Sequence, residues 1–310
     1  MSPRAAPLYQ PSPTLTTKIL QTFGESGRAW LERIPQLLEE CAERWDLTIG
    51  PPFAGLSYNY VAPGATSEGT PVVLKLGFAC PEVTCEIEAM RFYRGDGIAR
   101  LLDADEHIGA QLLERLTPGS EVLALDDDKA ATEIAATLMR RLWRALPEDH
   151  PFPSLEQWSM ALVNVGAQRS VQWPFSRKQL ERAMDLRADL LASAPPPVLL
   201  HGDLHHHNIL SATREPWLAI DPKGVAGDPA FDAARWFSNP MPWLLRQPDA
   251  RAITARRVDQ FSDLLELDTH RVVAWGFANT VLSGCWALES DPTVNVDDMV
   301  ACLELFDILA

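Results

Sequence analysis

The segment from His201 to Asp221, HGDLHHHNILSATREPWLAID, carries the residue types that phosphoryl transfer requires. Asp203 and Asp221 supply carboxylates, and Asn208 supplies an amide oxygen between them. In this chemistry one carboxylate orients the attacking hydroxyl and accepts its proton, while an amide oxygen and a second carboxylate hold Mg²⁺ beside the nucleotide phosphates. The spacing therefore predicts Asp203 as the base, with Asn208 and Asp221 as the metal ligands.

The same segment resembles the catalytic loop of the aminoglycoside phosphotransferase family, a branch of the protein-kinase-like fold. That family carries HGDxxxxN followed by an Ile-Asp metal-binding segment, and this chain has HGDLHHHN and Ile220-Asp221. The later GDPAFD stretch resembles the family's GDPxxD signature, and IDPKG resembles the streptomycin 6-kinase and hydroxyurea kinase subgroup. The resemblance implies ATP and Mg²⁺ as cofactors. It also implies that His201, Asp228 and Asp232 support the loop through hydrogen bonds with its backbone, a surface-turn role being the alternative for the two acids.

Three consecutive histidines, His205 to His207, raise the alternative of a metal site. Consecutive residues of an extended loop point in different directions, so one tripeptide is a poor source of three ligands. We therefore expect these rings to support the loop. His207 stands where related loops have glycine, and a position that requires positive φ tolerates histidine less readily than glycine. If the backbone at this position requires positive φ, the exchange of glycine for histidine would strain it.

Lys75 ends the apolar run Val72-Val73-Leu74, where a buried ammonium needs an anionic partner. Nucleotide phosphates would serve, and an ordinary amphipathic lysine at a strand end is the alternative. By the resemblance, Lys75 contacts the α- and β-phosphates and is steered by a glutamate from the following helix. Glu86 and Glu88 both lie in that stretch, and the string EAMRF that begins at Glu88 favours Glu88.

Two further segments are expected to contact the nucleotide through their backbone. Ser57 and Tyr58 lie in residues 55–60, which the resemblance places over the phosphates, with an ordinary hairpin as the alternative. Glu114 and Leu116 belong to the LLERL stretch, which resembles the segment where adenine hydrogen-bonds in the family; a plain strand end is the alternative. The sequence contains no GxxxxGK[ST] pattern, which excludes a Walker-type phosphate loop.

Hydrophobic periodicity and Gly/Pro punctuation divide the chain into a strand-rich part and a helix-rich part. The first part is predicted to contain helices over 18–46 and 81–93 and strands over 47–54, 58–62, 72–76, 99–103 and 108–113. The second is predicted to contain helices over 129–146, 155–168, 177–193, 249–265, 270–289 and 297–309. We predict an α+β, protein-kinase-like two-lobe fold. It has a small N-terminal lobe over 1–113 with an antiparallel sheet plus a helix, a hinge at 114–119, and a larger, mainly helical C-terminal lobe over 120–310.

Composition limits the classes of binding partner and the cellular compartment that we expect for this protein. The formal net charge is −15, which makes nucleic acid an improbable partner and favours a cationic small molecule, although acidic residues also maintain solubility. The first residues lack the apolar run of a secretory signal, and no stretch predicts a membrane span. Five cysteines without CxxC spacing favour reduced thiols in the cytoplasm. No protein partner is indicated.

The leading prediction is transfer of the γ-phosphate of ATP to a hydroxyl of an aminoglycoside-like antibiotic or of hydroxyurea. The net charge favours a cationic, streptomycin-type acceptor. One alternative is a nucleotide-binding regulator of the same fold without catalysis, which would lack the base or a metal ligand, whereas Asp203, Asn208 and Asp221 are all present. A kinase of another small hydroxylated metabolite and a metal-dependent hydrolase built on the histidines are further alternatives.

Overall fold

The computed structural model describes residues 12–167, 174–291 and 294–306. The chain divides into one unit formed by Met1–Gly95 with Ala99–Leu116, and a second formed by Asp96–Ile98 with Thr117–Ala310. Residues 96–98 join the second unit because the N–H of Ala219 donates to the carbonyl of Gly97 at 3.0 Å. The predicted hinge at 114–119 stays a prediction. The ends of two predicted helices, Gln168 and residues 307–309, lie outside the described residues.

The first unit consists of a long helix and an antiparallel sheet with one further helix. Its elements are α1 Pro13–Arg44, β1 Leu47–Ile49, β2 Asn59–Thr66, β3 Pro71–Gly77, α2 Pro81–Tyr93, β4 Leu101–Asp105 and β5 Ala110–Glu114. The strands form a five-stranded sheet in the order β1-β2-β3-β5-β4. Leu74 and Leu76 of β3 pack with Ile34 and Leu38 of α1 in one apolar cluster. Lys75 therefore lies on a central strand of this sheet.

The first strand is shorter than predicted because proline intervenes, whereas β2, β4 and β5 end beyond their predicted last residues. β1 ends at Ile49 rather than residue 54, since Pro51 and Pro52 have no N–H to donate to a ladder. The chain nonetheless follows β2, as the N–H of Phe53 donates to the carbonyl of Val61 at 2.9 Å. In contrast, α2 has the predicted bounds, with Pro81 at its start and a left-handed residue, Arg94, at its end.

The second unit is mainly helical and contains two small sheets. Its elements are β6 Pro118–Glu121, a 3₁₀ turn Val122–Ala124, α3 Asp128–Leu142, β7 Arg144–Ala145, α4 Leu155–Trp158, α5 Met160–Ala167, α6 Arg177–Ala192, β8 Val198–Leu200, a 3₁₀ turn His206–Asn208, β9 Ile209–Ala212, β10 Trp217–Ala219, β11 Val225–Gly227, α7 Pro229–Phe237, α8 Met241–Leu244, α9 Ala250–Leu265, α10 Thr269–Ser290 and α11 Asp297–Phe306. The three-stranded sheets have the orders β10-β9-β6 and β11-β8-β7. The predicted catalytic loop therefore runs between β8 of one sheet and β9 of the other.

Helix α10 is the apolar centre of the second unit and packs against α7 and α6. A Cβ on Gly284 would overlap the ring of Phe175, and one on Gly276 would overlap the ring of Phe306. Glycine at these two positions therefore lets aromatic rings approach the helix backbone. Within the described ranges, no helix combines the length and the apolarity needed to cross a membrane.

Candidate active site

A buried carboxylate on α7 holds the loop that follows β8. Asp232 Oδ2 accepts the main-chain N–H of His201 at 2.9 Å, and Oδ1 accepts that of Gly202 at 2.7 Å. The indole Nε1 of Trp143 also donates to Oδ2, at 3.1 Å. Asp232 is 1% exposed. Burial raises the pKa of its carboxyl, against the opposing effects of His201 and these three donors. The donors fix the main chain just before Asp203.

His201 joins Asp203 to the residue that precedes Asp221, a predicted metal ligand. Its Nδ1 accepts the N–H of Asp203 at 3.2 Å, and its Nε2 lies 2.8 Å from the carbonyl oxygen of Ile220. A ring whose Nδ1 accepts carries its proton on Nε2, so Nε2 donates to Ile220. Burial lowers the pKa of His201, which keeps the ring in this neutral form. His201 thus binds loop backbone at both nitrogens.

The carboxylate of Asp203 is paired with an arginine. Arg235 Nε donates to Asp203 Oδ1 at 2.7 Å, and both side chains are 21% exposed. The other oxygen, Oδ2, lies 3.7 Å from His205 Nε2. Although burial acts to raise it, the charges of Arg235, His205 and Lys223 hold the pKa of Asp203 at about 2. The carboxylate is therefore ionised at neutral pH.

Two hydrogen bonds place Asn208 beside Asp203 and beside the residue that precedes Asp221. Asn208 Nδ2 donates to the carbonyl of Asp203 at 2.9 Å, which turns the amide so that Oδ1 is left as an acceptor. The N–H of Ile220 donates to the carbonyl of Asn208 at 3.0 Å, and Asp221 is the next residue. Asp221 has φ +59°, a conformation that aspartate adopts more readily than most residues. An amide oxygen and a carboxylate are ligands that Mg²⁺ prefers, so this donor set fits the ion.

The three histidines have separate surroundings. The ring of His206 stacks on Trp236 with the centroids 3.6 Å apart, and His207 Nδ1 pairs with Glu121 Oε2 at 2.8 Å. Burial lowers the pKa values of His205 and His206 to about 4. In the part of the chain that the structure describes, no group of three or more His, Cys, Asp or Glu side chains is arranged to hold a metal. His206 and His207 therefore contact different elements, α7 and β6.

The backbone at His207 does not require glycine. Its N–H donates to His205 Nδ1 at 3.2 Å, within the 3₁₀ turn that ends at Asn208. Described residues other than glycine with positive φ are Asp46, Arg94, Asp221 and Glu266. His207 is not among them, so the exchange for glycine introduces no left-handed strain.

In the first unit, the glutamate that pairs with Lys75 is Glu86, which corrects the preference for Glu88. Lys75 Nζ donates to Glu86 Oε1 at 2.5 Å, and the two residues are 2% and 6% exposed. Glu88 instead pairs with Arg91 on the same helix at 2.5 Å. Two residues along an α-helix correspond to a rotation of about 200°. Helix α2 therefore buries Glu86 together with Ile87, while Glu88 points to the other side.

The residues predicted to contact the nucleotide through their backbone lie in the same unit. Ser57 and Tyr58 are exposed in the loop between β1 and β2. Glu114 ends β5, where its N–H donates to the carbonyl of Arg100 at 2.9 Å and its Oε2 accepts the N–H of Arg100 at 3.0 Å. Leu116 is the last residue of the unit. The nucleotide contacts of these residues stay predictions.

Asp228 differs from its prediction, because its partners lie outside the catalytic loop. Its Oδ1 accepts the N–H of Ala230 at 3.0 Å and caps α7. Its Oδ2 accepts from Arg271 Nε and Trp275 Nε1, both at 2.6 Å. Asp228 therefore joins α7 to α10, and it is Asp232 that bonds the loop.

Arg235 is a residue of the site that the sequence reasoning missed. It lies on α7, three residues after Asp232, and its Nη1 donates to Ser283 Oγ on α10 at 2.6 Å. The available signal was the pair Asp228-Pro229, a typical helix start. Helical spacing from that start puts Arg235 on the same face as Asp232.

A second ion pair holds the helices behind the loop. Arg257 on α9 is fully buried, and its Nη2 donates to Asp128 Oδ1 on α3 at 2.5 Å. Arg256 also bonds Asp128, and His206 Nε2 lies 3.9 Å from it. Although burial acts to raise it, the nearby His206 ring, the hydrogen bond from Arg257 and the charges of Arg257 and Arg256 hold the pKa of Asp128 well below its usual range. The turn that precedes Asn208 is thereby tied to α3 and α9.

Comparisons with solved structures confirm the fold. Amicoumacin kinase hAmiN in complex with AMP-PNP, Ca²⁺ and Ami is similar with a TM-score of 0.64 and 15% identity, covering 92% of this chain and 95% of that one. Choline kinase LicA from Streptococcus pneumoniae is similar with a TM-score of 0.62 and 12% identity, covering 88% and 98%. The chain therefore has the predicted α+β, protein-kinase-like fold.

Comparisons of sequence identify the family. A model described as aminoglycoside/hydroxyurea antibiotic resistance kinase matches residues 44–291. Streptomycin 6-kinase of Streptomyces griseus is 34% identical over 285 residues, covering 91% of this chain and 92% of that protein. Hydroxyurea phosphotransferase of Kitasatospora aureofaciens is 32% identical over 289 residues, covering 92% and 82%. The resemblance seen in the catalytic segment is thus confirmed, and the chain belongs to the aminoglycoside/hydroxyurea antibiotic resistance kinase family.

Proposed function

We propose that this chain transfers the γ-phosphoryl group of ATP, with Mg²⁺, to a hydroxyl of a streptomycin-like aminoglycoside. Family membership and the two relatives named above support this reaction class. The observation that carries the proposal is a pair of hydrogen bonds that link Asp203, Asn208 and the residue before Asp221. Asn208 donates to the carbonyl of Asp203, and Ile220, the residue before Asp221, donates to the carbonyl of Asn208.

Asp203 orients the acceptor hydroxyl and accepts its proton. Burial alone would raise the pKa of this carboxyl, but Arg235 and the other nearby cations hold it at about 2. Such a carboxylate is a weak proton acceptor. In a loose transition state the proton leaves late, when the bond to phosphorus is already forming, so orientation matters more than basicity.

Separate side chains are proposed to bind the metal and the phosphates. Asn208 Oδ1 and the Asp221 carboxylate are the ligands of Mg²⁺, which, when bound, neutralises charge on the phosphoryl oxygens. Lys75 binds the α- and β-phosphates, and Glu86 positions its ammonium group. Further nucleotide contacts are proposed for the backbone of Ser57, Tyr58, Glu114 and Leu116.

Charge favours a cationic acceptor. The formal net charge of −15 attracts a guanidinium-bearing aminoglycoside, whereas hydroxyurea is small and neutral and gains little from an acidic surface. Hydroxyurea remains the second candidate, since a relative of similar identity is named for it. We also propose a cytoplasmic location, because all five cysteines carry free thiols.

The test is ADP release by the purified protein with ATP, Mg²⁺ and an acceptor panel of streptomycin, hydroxyurea, hygromycin B and choline. Asp203→Ala is expected to lower kcat by about 10²–10⁴-fold with ATP binding retained, since it removes the base and leaves the metal ligands. Asp221→Ala is expected to weaken Mg²⁺-dependent ATP binding as well. If no acceptor raises ADP release above the rate with ATP alone while ATP still binds, the chain is a nucleotide-binding regulator instead.

A further inference from the structure

We propose that Arg235 is a positioning residue that holds the Asp203 carboxylate in one orientation, and that Ser283 fixes Arg235 in turn. This inference rests on the proposed function, because the orientation of the carboxylate affects the rate only if it meets an acceptor hydroxyl.

The guanidinium of Arg235 is fixed by two bonds from different nitrogens. Nε donates to Asp203 Oδ1 at 2.7 Å, and Nη1 donates to Ser283 Oγ at 2.6 Å. Because the guanidinium is planar, two such bonds define its plane as well as its position. The main chain is also held, since Asn239 Nδ2 donates to the carbonyl of Arg235 at 2.8 Å.

The bond to Arg235 makes the two oxygens of Asp203 different. Oδ1 is occupied by Nε, whereas Oδ2 lies 3.7 Å from His205 Nε2, beyond hydrogen-bond distance. The carboxylate torsion of aspartate is broad and nearly two-fold, so an unrestrained group would turn readily. Arg235 removes that freedom and leaves Oδ2 to meet the acceptor hydroxyl.

Helix α7 bonds both the main chain and a side chain of the catalytic loop. Asp232 holds the main chain of His201 and Gly202, and Arg235, one turn later, holds the side chain of Asp203. Ser283 links this arrangement to α10, which packs along α7. A change at Ser283 is therefore expected to reach the reacting carboxylate through a single side chain.

Steady-state kinetics with ATP and streptomycin test the proposal with Arg235→Ala, Arg235→Lys and Ser283→Ala. Arg251→Ala is the matched control, because Arg251 is exposed on α9 and its loss changes net charge equally. A displacement of about 1 Å in a reacting group costs about 10²-fold in rate. We expect a loss in kcat of about that size for Arg235→Ala and a smaller loss for Ser283→Ala, with KM for ATP within about twofold of wild type.

Two readouts separate positioning from a general structural role. Added guanidinium ion, at an ionic strength matched with sodium chloride, is expected to restore part of the lost rate to Arg235→Ala. Arg235→Lys is expected to be slower than wild type, since lysine keeps the positive charge but lacks the planar guanidinium that bonds Asp203 and Ser283 together. Rates equal to the Arg251→Ala control would overturn the proposal. So would a loss that guanidinium does not restore and that raises KM for ATP in parallel.

Crystal structures of wild type and Arg235→Ala test, without any acceptor, whether Arg235 orients the Asp203 carboxylate. The Asp203 carboxylate is expected to turn or to occupy two orientations in the variant. An unchanged carboxylate would overturn the proposal for Arg235. A wild-type protein inactive with every acceptor would overturn the proposed function instead, and the two structures would still decide the role of Arg235.

Discussion

Exchange of Glu86 for glutamine is expected to destabilise the protein and weaken ATP binding, whereas the same exchange at Glu88 should do neither. The Glu86 and Lys75 side chains are 7% and 2% exposed, and their charged atoms lie 2.5 Å apart. The Glu88 side chain is 34% exposed, and its partner Arg91 also pairs with Glu106. The two glutamates therefore form a matched pair on one helix.

The size of the effect follows from burial. A hydrogen bond to a buried charged group contributes about 1.5–3 kcal/mol, and Glu86→Gln loses the charge while keeping the side-chain volume. Glu86→Ala removes the whole group and is expected to cost about 3–5 kcal/mol, as for other buried pairs that lose one member. The exposed pair of Glu88 contributes at most about 1 kcal/mol.

Urea denaturation and ATP titration measure the two consequences. The free energy of unfolding should fall by about 1.5–3 kcal/mol for Glu86→Gln and by less than about 1 kcal/mol for Glu88→Gln. A loss of about 1.4 kcal/mol in nucleotide binding would raise the Kd for ATP about tenfold. For Glu88→Gln we expect a Kd within about twofold of wild type, because the contact with Lys75 is preserved.

Equal losses in the two variants, or a larger loss for Glu88→Gln, would refute the reasoning from helix geometry. They would mean that Glu88 reaches Lys75 in solution. A destabilised Glu86→Gln variant with unchanged ATP affinity would restrict the Lys75–Glu86 pair to a structural role.

Three further predictions concern the second unit. Asp232→Ala leaves three donors without their acceptor and should lower the free energy of unfolding by about 3 kcal/mol or more. Trp143→Phe removes only one donor and should lower it by about 1 kcal/mol. Equal decreases in the free energy of unfolding, measured by urea denaturation, would contradict this. Gly202→Ala must place a Cβ 3.0 Å from Lys223 Cβ at φ +81°, so the melting temperature should fall, by an amount equivalent to about 1–2 kcal/mol. His206→Phe keeps an aromatic stack but removes a ring whose pKa burial lowers from 6.5 to about 4. Unfolding of the wild type takes up a proton there between these pH values, so its stability falls as pH decreases through that window, by on the order of 3 kcal/mol. The variant should lose this part of the pH dependence of stability. If urea denaturation shows that its free energy of unfolding falls between neutral and acidic pH as much as that of wild type, the assignment is contradicted.

The chemistry of the site could be predicted from residue types and spacing. Asp203, Asn208 and Asp221 occur within one short segment, so local hydrogen bonds between neighbouring strands suffice to gather them. Helix α2 could also be predicted with its bounds, because Pro81 favours a helix start and Gly95 and Gly97 follow its end. Such features depend on neighbours close in sequence.

Helix α7 could not be found by periodicity. Pro229–Phe237 spans only nine residues, about two and a half turns, and a segment this short gives a weak periodic signal. The strand expected over 47–54 fails for a different reason, since its apolar residues flank prolines that cannot join a ladder. A short segment and a local break in hydrogen bonding thus limit what the hydrophobic pattern predicts.

The sequence by itself determined which chemical groups are available, and the tertiary structure decided which of two similar groups meets a partner. Glu86 and Glu88 have the same side chain, as do Asp228 and Asp232. In the structure only Glu86 pairs with Lys75, and only Asp232 bonds the backbone of the catalytic loop. The reason is the rotation of each helix against the element on which it packs. Arg235 meets Ser283 48 residues later, and Glu86 meets Lys75 across the interface between α2 and β3. Only packing sets such contacts, because no local spacing encodes the distance between separate elements.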